Sequence, residues 1–395
     1  MSNPSVPVFT RVTSPFLSAL IALVPLGLTA CITDPIDDDP EVGQTAQSLD
    51  AEDLRLDVFV ADNVATKNRV VALHRDGNGS LRHVGTFPTG GRGTGAGLGS
   101  QGSVVLNRAG DQLYVVNAGS DELSVFDVRD EVLVLRDLVS SGGANPVSVT
   151  VRGGLVYVVN AGRGAVAGNI TGFAVSGGQL SPIAGSTQPL SGAAVGPAQI
   201  ELDPSGRVLV VTEKGTNNLT TYLVDASGAA GPPRVTASHG QTPFGFEFDA
   251  GGTLIVSEAF GGAPGASALS SYRLDGNGLP VLISGSIATG QTAACWVAIS
   301  AGGSFAYTTN TASNSISGYE LSPTGRLRRF ADGGVTATTG AGPIDFDFGA
   351  GGRYLYTLNA GGDSITIDRA RSDGQLDDRG TFTGLPASTI GLAAR

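Results

Sequence analysis

Val156-Tyr157-Val158-Val159-Asn160, followed after a short glycine-containing connection by the segment Asn169 to Val175, reads as an apolar strand ending in a polar residue and then a second strand. The same pair recurs along the chain. The first strand returns as Val58 to Asp62, Leu113 to Asn117, Leu209 to Glu213, Leu254 to Glu258, Ala306 to Asn310 and Leu355 to Asn359. The second returns as Arg69 to Arg75, Glu122 to Val128, Asn218 to Leu223, Ala268 to Leu274, Ser315 to Leu321 and Ser364 to Ala370. The polar positions that end the first strands are 55, 43, 53, 45, 52 and 49 residues apart. That period fits one four-stranded unit of a radial repeat. Seven units predict an all-β, seven-bladed β-propeller over residues 56–395, and the unbroken repeat argues for one domain there.

Working outward from the pair, each unit offers a further apolar stretch ahead of it to serve as the inner strand. These are Ser103 to Leu106, Val147 to Val151, Ala198 to Leu202, Phe244 to Phe248, Cys295 to Ile299 and Ile344 to Phe348, six for seven units. The seventh candidate is Thr389 to Leu392 at the extreme C-terminus, joining a sheet whose other strands are N-terminal. The propeller is therefore predicted to be closed by its C-terminal strand, which leaves no open sheet edge.

Composition agrees with many short strands and tight turns. The chain holds 59 Gly and 20 Pro in 395 residues, and only 15% of its residues are charged. A net charge of −11 argues against nucleic acid as a partner, because no basic surface is available to neutralise phosphates. Gly-rich stretches such as Gly90 to Gly102 lack the strand-loop-helix context of a phosphate cradle and read as flexible connections. No Gly-x-Ser-x-Gly elbow, P-loop or paired zinc-ligand motif occurs, and three histidines cannot build a three-histidine metal site on one face, so neither metal nor cofactor is expected.

Residues 1–30 read as an address. A single charged side chain, Arg11, precedes an apolar stretch from Phe16 to Leu28, interrupted by Pro25 and too short for a comfortable membrane span. The ending Leu28-Thr29-Ala30-Cys31 resembles the lipobox of bacterial lipoproteins, which implies cleavage before Cys31 and lipidation of that cysteine. Residues 31–55 follow as an acidic, proline-containing tether. The expected location is the bacterial cell envelope, held by the lipid anchor alone. Ile32 in place of Asp after the cysteine resembles the export pattern of outer-membrane lipoproteins. If Cys31 is acylated, no internal disulfide can form, and Cys295 reads as a small buried hydrophobe.

With strands running alternately up and down, the ends of the second strands and the connections into the inner strands share one side of the disc. That side is expected to gather Asp62, Asn117, Asn160, Glu213, Glu258, Asn310 and Asn359 as a polar ring around a central pocket, with His239, Gln199, Trp296 and Asp345 from the connections. The asparagines suit turn chemistry, since Asn hydrogen-bonds nearby backbone and tolerates left-handed turns. Glu213 and Glu258 are not turn residues, so they stand as the candidate acid-base pair. Of the histidines, His74 and His83 lie on outer strands, leaving His239 as the candidate imidazole.

The run Gly196-Pro197 through Asp203-Pro204-Ser205-Gly206 and Val210-Val211-Thr212-Glu213, together with its counterparts in nearly every unit, resembles the seven-bladed lactonase family. That family includes 6-phosphogluconolactonase-like proteins and fungal 3-carboxymuconate lactonizing enzymes. The resemblance implies a lactonase-like hydrolase of a small polar lactone or related ester. It also implies a Gly-Pro-Arg-His motif at the start of an inner strand. Here the aligned segment is Gly196-Pro197-Ala198-Gln199, without the cation or the imidazole, while the acidic residue one strand later is kept as Glu213. Two expectations follow. In one, Glu213 or His239 activates water while Glu258 acts as a second catalytic group and Gln199, Asp345, Trp296, Asn117, Asn160, Asn310 and Asn359 contact the substrate. In the other, a noncatalytic, lipid-anchored monomeric propeller binds a small polar molecule or an envelope protein.

Overall fold

The computed structural model describes residues 55–330 and 333–395; the signal and nearly all of the tether, Cys31 included, lie outside them. The described residues form seven antiparallel sheets, and the protein is a seven-bladed β-propeller. Blade 1 consists of Val58–Ala61, Arg69–Arg75 and Leu81–Pro88, with Ile390–Ala394 as its innermost strand. The inner strands of blades 2 to 7 are Val104–Leu106, Pro146–Arg152, Pro197–Leu202, Pro243–Phe248, Ala294–Ile299 and Pro343–Phe348. Each is followed outward by the two strands of the repeating pair and then by an outer strand. The C-terminal strand closes the ring, Phe59 facing Ala393 and Val60 facing Leu392 in antiparallel register.

Alternation along each strand puts apolar side chains on both faces, so every blade packs against two neighbours. Among the described residues the core is seven apolar clusters, each centred on a seam between neighbouring blades; Phe59, Val115 and Phe126 fill one seam and Val60, Tyr356 and Ile365 another. Tyrosines in the first strand of the pair also cross the seams. Tyr157 donates its hydroxyl to the Gly228 carbonyl, Tyr307 to Gly374 and Tyr356 to Gly79, each in the neighbouring blade.

Among the described residues the inner strands have no partner strand on their channel side, which leaves a row of backbone N–H groups to be satisfied. Side chains of the preceding blade satisfy several of them. Ser148 accepts from Ile200 N–H, Gln199 accepts from Phe246 N–H and donates to its carbonyl, and Glu247 accepts from Ile299 N–H at 2.6 Å. Asp345 and Asp347 accept from Leu392 and Ala394 N–H at 3.1 and 2.9 Å, so the closing strand is held on both edges.

The Gly90 to Gly102 segment differs from the expected flexible connection. It is an ordered strap fixed to blade 1: Asn63 donates to the Ala96 carbonyl at 2.7 Å and accepts from Thr94 N–H at 2.9 Å. Its glycines serve close approach. A Cβ on Gly93 would lie 2.2 Å from the Asn63 carbonyl carbon, and Gly102 combines a φ of +77° with a Cβ position 2.9 Å from Ser148 Oγ.

Candidate functional site

The polar residues that end the first strands of the pairs do not surround a pocket. Asp62, Asn117, Asn160, Glu213, Glu258, Asn310 and Asn359 are all fully buried. Each side chain is held by the neighbouring turn, strand or incoming connection, and Asn117 also accepts from Asn68 and Thr89 of blade 1. Asn117 donates to Ser124 Oγ at 2.7 Å, Asn160 to the Asn169 side chain at 2.8 Å, Asn310 to Ser317 Oγ at 2.9 Å and Asn359 to Thr366 Oγ1 at 2.9 Å. The expected polar ring around a central pocket is therefore corrected to seven separate buried locks. The physical reason is a nearer partner than the channel offers: a Ser or Thr hydroxyl on the adjacent strand for Asn117, Asn310 and Asn359, the Asn169 side chain for Asn160 and the Arg69 guanidinium for Asp62.

Glu213 and Glu258 belong to the same set of locks. Glu213 accepts from Ser191 N–H at 3.0 Å, from the Ser191 hydroxyl and from Thr216 Oγ1 at 3.2 Å. Glu258 accepts from Gly240 N–H at 2.8 Å and from the hydroxyls of Ser270 and Ser286 at 2.5 and 2.6 Å. Among the described residues the two carboxylates share no partner. His239 is exposed and packs on Gly285 in the outer strand of blade 5, with its backbone N–H on the Tyr272 hydroxyl. No hydrogen bond among the described residues joins it to either glutamate. Trp296 is buried, tilted against Phe244 with ring centroids 5.0 Å apart.

Gln199 and Asp345 are the predicted residues that the fold does bring together. Both line a cavity of 330 Å³ that runs along the inner strands, with Gln101 at one end and Asn107 and Arg152 at the other. Its walls also carry Glu201, Glu247, Asp347 and Thr150. The inner-strand pleat explains the grouping: in Pro197–Leu202, Pro243–Phe248 and Pro343–Phe348 the fifth residue is Glu201, Glu247 and Asp347, and that position faces the axis.

Glu201, Glu247 and Asp347 are half-buried, touching the cavity but shielded from bulk water elsewhere. Desolvation disfavours their charged forms. Burial pushes the Glu201 carboxyl up to about 8, opposed by the nearby Arg152 guanidinium. Burial pushes Asp347 up to about 7. Glu247 is raised well above the ordinary range, first by burial and then by repulsion from Glu201 and Asp347. Asp345 is raised by burial as well. The cavity thus holds four carboxyl groups whose proton affinity burial raises, beside one guanidinium. Among the described residues no group of three or more His, Cys, Asp or Glu side chains converges closely enough to hold a metal ion.

Sequence reasoning missed Glu201, Glu247, Asp347 and Arg152. A signal for three of them was present: proline opens each of these inner strands and an acid follows four residues later, as Pro197 and Glu201, Pro243 and Glu247, Pro343 and Asp347. An acid recurring at one position of an otherwise apolar strand marks the face that cannot be core.

The family described as Lactonase, 7-bladed beta-propeller matches residues 66–189, 167–259 and 280–390. No curated protein matches the chain. Solved structures share the fold at low identity. A 6-phosphogluconolactonase-like protein of Bacteroides uniformis ATCC 8492 is 15% identical with a TM-score of 0.66, over 86% of this chain and 99% of that one. The periplasmic gluconolactonase of Pseudomonas aeruginosa is 16% identical with a TM-score of 0.65, over 86% and 99% of the two chains. A protein of Lactobacillus plantarum is 18% identical with a TM-score of 0.68, over 85% and 98%.

Proposed function

Because this chain belongs to the seven-bladed β-propeller lactonase family, we propose that it hydrolyses a small polar lactone or related ester inside the central cavity. The observation that carries this reading is the convergence of Glu201, Glu247 and Asp347 with Arg152 on one 330 Å³ space. Two carboxyl groups whose surroundings separate their proton affinities can divide acid and base roles. Burial raises both Asp347 and Glu201 toward neutrality, so a carboxylate and a protonated carboxyl are both available to the cavity there. The Asp347 carboxylate takes a proton from water as the water oxygen bonds to the acyl carbon. Protonated Glu201 gives its proton to the departing ring oxygen as the carbon-oxygen bond breaks. Arg152 offsets the negative charge that builds on the acyl oxygen. A lipid anchor at Cys31 would hold this activity in the cell envelope.

A second reading is favoured by the hydrogen bonds of the same carboxylates. Glu247, Asp345 and Asp347 already accept backbone N–H groups from the next blade, as a purely structural role requires. The propeller would then bind a ligand or envelope protein without turnover. A hydrolysis screen against aldonolactones, muconolactones and aryl esters separates the two. Under the hydrolase reading, Asp347→Asn and Glu201→Gln each lower kcat by about 100-fold or more while the fold is kept. Absence of turnover for every substrate between pH 5 and 9 would select the noncatalytic propeller.

A further inference from the structure

We infer that the strap ending at Gln101 plugs one mouth of the channel, and that Gln101 is a specificity-determining residue that fixes the length of substrate the cavity accepts. The plug spans blades that are not neighbours. Ser100 Oγ donates to the Val147 carbonyl of blade 3 at 2.8 Å, and Gln101 N–H donates to the Ala198 carbonyl of blade 4 at 3.0 Å. The Gln101 side chain crosses to blade 6, donating to the Val297 carbonyl at 2.8 Å and accepting from Val297 N–H at 3.1 Å. Trp296 of blade 6 donates its indole N–H to the Ser100 carbonyl at 3.1 Å. Val147, Ala198 and Trp296 lie in the first halves of their inner strands and Val297 just past the middle of its own, so the mouth where those strands begin is the one covered.

Two further features hold the plug down. Leu98 packs against the apolar clusters of three seams, between blades 1 and 2, 2 and 3, and 3 and 4. Lys214 donates to the Gly99 carbonyl while its ammonium lies 4.6 Å from the centre of the Phe244 ring. The other end of the cavity is different. Leu106, Asn107, Val151 and Arg152 wall both the cavity and a groove of 1100 Å³ formed where the inner strands end. Substrate therefore enters past Asn107 and Arg152 and stops at Gln101. The size-selecting role rests on the hydrolase reading; the plug does not.

Trp296 is the single tryptophan of the chain, so its fluorescence reports on the plug without any need for turnover. Acrylamide quenching should be weak in the wild-type protein and rise several-fold in Gln101→Ala and in Lys214→Met, the latter removing a contact outside the cavity. Gln101→Ala should also raise kcat/KM for lactones or esters with one additional sugar or acyl unit by about 10-fold or more relative to kcat/KM for the small substrates. Strong quenching in the wild-type protein, or quenching unchanged in both variants, overturns the plug. Quenching that rises while extended substrates stay excluded overturns the role of Gln101 in selecting size. Quenching that rises with no turnover of any substrate supports the plug and overturns the hydrolase reading together with the size-selecting role.

Discussion

At the scale of single residues, the decisive contrast is between Glu258 and Asp347. Both are acids on strands of the ring, yet Glu258 is fully buried with three donors from Gly240, Ser270 and Ser286, whereas Asp347 is half-buried on an axial cavity. A carboxylate saturated by donors is fixed as an acceptor. Replacing it by an amide turns an N–H group toward other donors, and replacing it by alanine leaves those donors unpaired. Glu258→Ala should therefore lower unfolding free energy by about 3 kcal/mol, and Glu258→Gln by about 2 kcal/mol. Urea unfolding measures both. Turnover per folded molecule should be unchanged; a variant of wild-type stability that loses turnover would return Glu258 to the chemistry.

At the scale of elements, closure rests on five residues. Ile390–Ala394 pairs with Val58–Ala61 on one side and receives Asp345 and Asp347 on the other. Arg395 adds bonds from its guanidinium to the Leu56 and Gly110 carbonyls at 2.6 and 2.8 Å. Removing residues 390–395 would expose the edge of Val58–Ala61, open the seam filled by Phe59 and take from Asp345 and Asp347 the N–H donors of the closing strand. The truncated chain should aggregate or melt more than about 10 °C below wild type, far beyond the effect of losing a mobile tail. Gel filtration and thermal unfolding read the result, and an unchanged melting temperature would show that the ring closes without this strand.

At the scale of the whole molecule, the channel carboxyls make stability depend on pH. Glu201, Glu247, Asp345 and Asp347 all have folded-state pKa values above those of free carboxyls, and so does Asp368, which burial and the nearby Asp378 and Asp377 push up to about 7. Such groups hold protons more tightly when folded. Their contribution is complete below the unfolded value near 4 and is lost as pH rises through 7 and 8. Lys214 has the opposite sign, since burial lowers it to about 8 and its ionisation difference favours the folded state only above that pH. Between pH 5 and 8 the carboxyls dominate. Melting temperature should fall by about 5 °C across that window, after allowance for water in the cavity, and Glu201→Gln should flatten the slope. A melting temperature that rises with pH in the wild-type protein would contradict the assigned shifts.

What the sequence determined by itself was everything carried by local periodicity. Strands such as Val156 to Asn160, the spacing of their polar ends, and the missing inner strand supplied by Thr389 to Leu392 specify seven blades and their closure, because alternation and turn chemistry act between near neighbours in the chain. What only the tertiary structure decided was where polar side chains point once seven blades meet. Asn117, Glu213 and Glu258 turn inward to serine and threonine partners, while Glu201, Glu247 and Asp347 turn to the axis. Gly90 to Gly102 becomes a strap across the channel mouth, since Gln101 finds its partner on Val297, 196 residues away. Those choices depend on distances between strands remote in sequence, and of them only the axial acids left a local trace, four residues after the proline that opens each strand.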